Sequence, residues 1–231
     1  MDGFYSWLKQ LNVSFLFDTL GIVLAALLCI TVHETCHGLA ALWMGDDTAK
    51  RQGRLSLNPL RHVDIMGLIM MALVRFGWAK PVPVNAGRFR HPKLGMALTA
   101  LAGPASNVIL AFLAMLLRAV FLAVTPFEAM GTVFHFLRSF LENVAIISAG
   151  LAVFNLFPVP PLDGSKVLFA FLPDRWYLKL MRYERFGMIL LMALLLSNVL
   201  DVPLLYLRSE LLGFIESCTE PIFYYIANHL V

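Results

Sequence analysis

Residues 15–44 are apolar almost throughout, and near the end of that run, within TVHETCHGLA, stand His33, Glu34 and His37. A stretch of this length and character is suited to crossing a lipid bilayer, whose hydrocarbon core is about 30 Å thick and takes about 20 helical residues to span. No water is at hand there for backbone N–H and C=O groups, so the run must be a helix that satisfies them internally. Ionisable side chains are costly in that setting, on the order of 2.5–3.5 kcal/mol for the charged types. Three such residues so close together require a function that needs them inside the membrane.

Composition points the same way. The chain is 59% hydrophobic and only 14% charged, and its mean hydropathy of +0.75 lies far to the apolar side of an ordinary soluble domain. The expected fold is an all-α polytopic integral membrane protein, one domain over 1–231, with room for about five or six transmembrane helices. Apolar runs at 15–44, 94–124, 133–157, 186–200 and 205–227 are the long candidates. Arg208, Glu210, Glu216 and Glu220 interrupt the last, a C-terminal helix that either spans or lies at the interface. A sixth piece, 65–78, is too short to span comfortably and leads into AKPVPVNAGRFRHP. It reads as a re-entrant, extended or hairpin segment between the first two core helices.

The loops give an orientation. The connection after the first run carries nine Lys and Arg residues and that after the third carries five, whereas the connection around Pro126 carries none; the basic connections should face the cytoplasm. A net charge of +3, without a basic helical stripe, argues against a nucleic-acid partner. Cys29, Cys36 and Cys218 are odd in number and unpaired in spacing, so no disulfide framework is expected. The N-terminal MDGFYSWLKQ lacks the pattern of a removable signal peptide. Gly and Ala on several runs would serve packing within one chain as well as between chains, so no oligomeric state follows.

His33-Glu34-x-x-His37 places two imidazoles four residues apart on one helix face, with a carboxylate beside them. Two neutral imidazoles suit zinc, and an adjacent carboxylate can take a proton from a zinc-activated water and pass it to a leaving amine. A catalytic zinc wants a third protein ligand. Asp163, in NLFPVPPLDGSKV, follows a proline-stiffened stretch and precedes Gly164, which permits a tight turn. His33 and His37 lie roughly 10–17 Å before the cytoplasmic end of the first run at the helical rise, the end at which Asp163 also falls.

HExxH, the later Asn155-x-x-Pro158-x-Pro160-x-Leu162-Asp163-Gly164, and the intervening ALAGPASNVILA together resemble the site-2 proteases, intramembrane zinc metalloproteases that cut transmembrane segments. The resemblance covers roughly residues 15–205. It implies one zinc on His33, His37 and Asp163, Glu34 as the general base, and a polarising or substrate-holding role for Asn155. It implies as partners a transmembrane protein or peptide substrate and the lipid bilayer, with the site toward the cytoplasmic leaflet of a prokaryotic plasma membrane. It also implies a membrane-embedded β-hairpin around Pro81–Val84, whose edge could hold an unwound substrate. The chain leaves no room for an inserted PDZ domain or a CBS pair, so a minimal member is expected.

Other assignments stay open. Cys36, three residues after His33, is an alternative ligand, Asp64 a fallback third ligand, and Glu142 or Glu184 would complete a site of a different membrane zincin type. Asn107 reads mainly as an interhelical hydrogen-bonding group among small residues, and His62 and His91 read as surface residues in basic loops. A catalytically idle zinc-binding scaffold or transporter is the rival function. A transporter should carry further acids along a path, which the second and fourth runs lack, and a scaffold has no need of Glu34.

Overall fold

The computed structural model describes residues 13–74, 77–125 and 131–229, and those residues are helical apart from their connections. The first long helix, α1, is Val13–Trp43, followed by a single short turn of helix, α2, Thr48–Arg51, and by α3, Ile65–Val74. Then come α4, Pro92–Val124, α5, Thr132–Leu156, and four further helices: α6, Asp163–Ala170, α7, Asp174–Tyr183, α8, Gly187–Leu196, and α9, Asp201–His229.

Three of these are long and apolar enough to cross a membrane, namely α1 from Leu16 onward, α4 and α5. They pack on one another, and α9 adds itself against α4 and α5. Their shared core consists largely of small side chains: Ala25, Cys29, Ala111, Ala114, Val144, Ala145 and Ala149, with Met115 and with Ile215 of α9. Where the surrounding solvent is itself apolar, helices gain by approaching closely enough for dispersion contacts, and small residues permit that approach. Cys29 joins the same seam, its Sγ lying 3.1 Å from the Ser148 hydroxyl that donates to it.

Among the described residues, three or four candidate spans emerge, where five or six were expected. The run at 186–200 yields only the ten residues of α8, because the chain turns after Leu196 and Asn198 takes a left-handed conformation, φ 55°, which Asn tolerates better than most residues. α8 and α9 meet the length and hydropathy requirement only together, as a pair bent by 89°, which would raise the number of spans to four. The final segment therefore packs on the core as one helix, with Ile215 and Thr219 buried.

The expected re-entrant hairpin is also different. Residues 65–74 are helical as α3, begun by Asp64, whose side chain accepts from Gly67 N at 2.9 Å. Gly67 is needed for space, since a Cβ there would lie 2.1 Å from Trp78 O. Residues 75–76, inside the expected hairpin, lie outside the described residues. The stretch that follows is extended, yet among the described residues it makes a single antiparallel bridge, Val63 with Ala79, and no strand. Pro81 and Pro83 lack the N–H groups that a ladder requires.

What holds this stretch is a set of specific anchors. Lys80 N donates to His62 O at 2.8 Å and the Arg54 guanidinium to Lys80 O at 2.8 Å. At its far end Asn85 N donates to Asp46 Oδ2 at 2.6 Å. Asp46 sits just past α1, which closes with Gly45 at φ +110° and with Asp46 N on Ala41 O and Gly45 N on Leu42 O, the double bond pattern of a left-handed helix stop. Asp46 is fully buried and also accepts from Thr48 N at 3.0 Å. Burial opposes its charge, but the bonds from Asn85 and Thr48 and the nearby Arg88 outweigh that and hold its carboxyl below the usual range.

Asp46→Ala should therefore lower the thermal midpoint in detergent by roughly 4–8 °C, as expected for loss of about 2 kcal/mol from charge-assisted bonds in a chain of this size. Because the folded carboxyl is the stronger acid, this stabilisation is present above the ordinary carboxylate range and fades as the pH falls through the lowered folded value. The midpoint difference between the two proteins, followed by thermal unfolding from neutral to acidic pH, should shrink accordingly.

Candidate metal centre

The two histidines of α1 do not face lipid. Both turn toward α4 and the start of α6, where Nε2 of His33 and Nε2 of His37 stand 3.0 Å apart. Asp163 Oδ2 lies 3.3 Å from the first and 3.1 Å from the second. Among the described residues this is the group of His, Cys, Asp and Glu atoms close enough together to share a metal ion. In a tetrahedral zinc site with bonds of about 2.0–2.1 Å, neighbouring ligand atoms are about 3.3 Å apart, so the donor set fits.

The neighbouring helix shapes the space. A Cβ on Gly103 of α4 would lie 2.4 Å from His37 Cε1 and Nε2 and 2.7 Å from His33 Cε1, so glycine at that position makes room for both rings. His37 Nδ1 is 2.7 Å from Thr99 O. A carbonyl only accepts, so Nδ1 carries the proton and Nε2 presents a lone pair toward Asp163. His33 Nδ1 has the side-chain amide of Asn107 at 3.2 Å, and Asn107 is fully buried. Thr99, Gly103 and Asn107 are spaced by four along α4 and so share one of its faces.

Asp163 opens α6 straight after the proline stretch. Gly164 is required here by close approach and not by a turn: its Cβ would meet Leu156 O at 2.1 Å and Phe157 O at 2.7 Å, so the first turn of α6 leans on the end of α5. The second carboxylate oxygen, Oδ1, is 3.9 Å from Lys166 Nζ, which is in turn 3.6 Å from Glu184. Lys166 had no motif to mark it in the sequence. Its nearness follows only from the three-residue spacing once α6 is known to be a helix.

Glu34 is half-buried beside the histidines and reaches the extended stretch, its Oε2 accepting from Val82 N at 2.9 Å. Asn155, half-buried near the end of α5, donates to Leu151 O at 3.0 Å within its own helix. The alternative ligands are placed elsewhere. Cys36 lines a shallow apolar groove with Leu39, Ala40 and Ala105, Asp64 caps α3, Glu142 lies 3.8 Å from Arg118, and Glu184 faces Lys166. His91 is exposed, as expected. His62 is not: it is fully buried, donating from Nε2 to Ser56 O at 2.8 Å and so closing its loop on itself.

The model of peptidase family M50 matches residues 21–197, which include both motifs. The chain belongs to that family, the site-2 protease family. Among M50 relatives it is 37% identical over 176 residues to the "Putative zinc metalloprotease" YwhC of Bacillus subtilis, covering 76% of this chain and 80% of that one. It is 29% identical over 184 residues to Rip2 of Mycobacterium tuberculosis, which carries the same description, covering 78% and 68%. No solved structure matches the chain. The M50 assignment makes the protein a zinc metalloprotease, and its apolar helices make it an integral membrane protein.

Gly103→Ala tests the shape of the cradle. A methyl group at that distance must displace the rings, so zinc retained after dialysis, read by elemental analysis, should fall at least about tenfold. Helix content by circular dichroism should be unchanged.

Proposed function

We propose that the protein is an intramembrane zinc endopeptidase that hydrolyses a peptide bond within, or near the cytoplasmic end of, a substrate's transmembrane segment. The observation that carries this reading is the convergence of His33, His37 and Asp163 within 3.3 Å of one another, the two histidines standing on a helix long and apolar enough to cross a membrane. The single domain would lie in a prokaryotic plasma membrane with its site toward the cytoplasmic leaflet, as the basic connections favour.

In this reading His33, His37 and Asp163 hold one zinc. Zinc, when bound, polarises the scissile carbonyl and lowers the pKa of water enough to make it a nucleophile at neutral pH. Glu34 takes the proton from the attacking water and delivers it to the leaving amine. Its bond to Val82 N keeps the carboxylate in place while leaving Oε1 for that proton. A substrate strand lying along the extended stretch 77–85 would pass beside Glu34, because that stretch is already joined to it through Val82. Asn155 retains an amide N–H beyond the one donated to Leu151 and could offer it to the substrate carbonyl without bringing a charge into the membrane.

Zinc content and cleavage of a transmembrane test peptide, measured on the same detergent-purified samples, check these roles. The unchanged chain should hold close to one zinc. Glu34→Gln should keep the zinc and lose at least about 100-fold in cleavage, the scale of a general base. Asp163→Asn should lose both. Cleavage surviving in Glu34→Gln would overturn the general-base role of Glu34, and an unchanged chain that binds zinc and cuts nothing would overturn the reading in favour of an idle scaffold.

A further inference from the structure

The zinc reading makes a demand on the far side of each imidazole. A neutral histidine that ligates through Nε2 must carry its proton on Nδ1, and an acceptor placed at Nδ1 selects that tautomer and fixes the ring's direction. For His37 the acceptor is a main-chain carbonyl, Thr99 O. For His33, among the described residues, the group at Nδ1 is not a main-chain carbonyl but the side chain of Asn107.

An amide has an accepting end and a donating end of the same shape. As placed, Nδ2 is the end 3.2 Å from His33 Nδ1, where it would donate to Nδ1 and force the His33 proton onto Nε2. That proton would then point among His37 Nε2 and Asp163 Oδ2, where a metal must sit. With the ends exchanged, Oδ1 accepts from Nδ1–H and Nε2 keeps its lone pair. The exchange also gives Asn107 Oδ1, which is otherwise buried with no donor, the Nδ1–H of His33, and leaves Nδ2 at the position that Oδ1 vacates.

We propose that Asn107 is the positioning residue for His33, its Oδ1 holding the ring in the tautomer that turns a lone pair toward Asp163. The proposal rests on the zinc reading of the site. Asn107 is then the side-chain counterpart of Thr99 O, and one face of α4 serves both rings: an acceptor at Thr99, a gap at Gly103, an acceptor at Asn107. The interhelical bond expected of this amide does form, from α4 to α1, and its partner is a ring nitrogen of the histidine pair.

The test compares the unchanged chain with Asn107→Leu, Asn107→Asp and Asn107→Ser, using two readouts. One is zinc affinity by competition with a chromophoric chelator. The other is the visible absorption of cobalt(II) added to metal-free protein, which reports ligand geometry without catalysis. Leucine keeps the branched skeleton, is larger and cannot accept, so affinity should fall about 10–100-fold and the cobalt bands should shift or weaken. Aspartate accepts from Nδ1–H, so affinity should stay within a few-fold of the unchanged chain or exceed it, and serine should fall between. The thermal midpoint of the metal-free proteins should not follow this order.

Full affinity in Asn107→Leu would overturn the proposal. So would equal losses in leucine and aspartate, which would mean that only the native amide's packing counts. If leucine prevents folding, aspartate and serine still decide: a tenfold loss in aspartate greater than that in serine would overturn it. An unchanged chain that binds neither zinc nor cobalt defeats the zinc reading itself, a result distinct from any difference among the variants.

Discussion

Two imidazoles and a carboxylate brought within 3.3 Å of one another are the constraint on which the surrounding structure depends. Such a cluster is unfavourable in an apolar interior unless each polar atom has a partner. α1, α4 and α6 are arranged so that nearly every one does. Thr99 O takes His37 Nδ1, Asn107 takes His33 Nδ1, and Lys166 stands behind Asp163.

The close approach that this requires explains the small residues. Gly103 admits both rings into the side of α4 and Gly164 lets α6 start directly against the end of α5. The alanine-rich seam among α1, α4 and α5 keeps the helices near enough for those contacts to form. Packing of this kind holds side chains in single positions, because larger neighbours are absent and there is little space to yield. The extended stretch 77–85 is tied to the same frame at both ends, through Lys80 and His62 on one side and Asn85 and Asp46 on the other. Between them Val82 is joined to Glu34. A change in how this stretch is held thus reaches the glutamate through one hydrogen bond.

Part of this was legible in the residues. The long apolar runs announced α1, α4 and α5 because a helix is the form in which one segment satisfies its own backbone in hydrocarbon. Gly45 marked the end of α1. The His33–His37 spacing put both rings on one face by helical geometry alone. The 186–200 run misled, because hydropathy does not register the turn that Asn198 allows, and 65–74 misled because proline and glycine just beyond it said nothing of the ten residues before them. His62 looked like a surface group in a basic loop, and its burial came from a loop that folds back on Ser56. Hydropathy and residue type register neither the turn at Asn198 nor the bond from His62 back to Ser56.

The sequence by itself determined the solvent of this protein, the helical form of its long segments and the presence of a metal-binding pattern on α1. Those follow from composition and from the 3.6-residue period, which act within one segment. Only the tertiary structure decided which carboxylate joins the histidines, what faces their other nitrogens, and that Gly103, Asn107 and Val82 stand where they do. Each of those is a meeting of side chains or backbone from separate helices. Such meetings depend on helix spacing and rotation about the axis, which no single segment specifies.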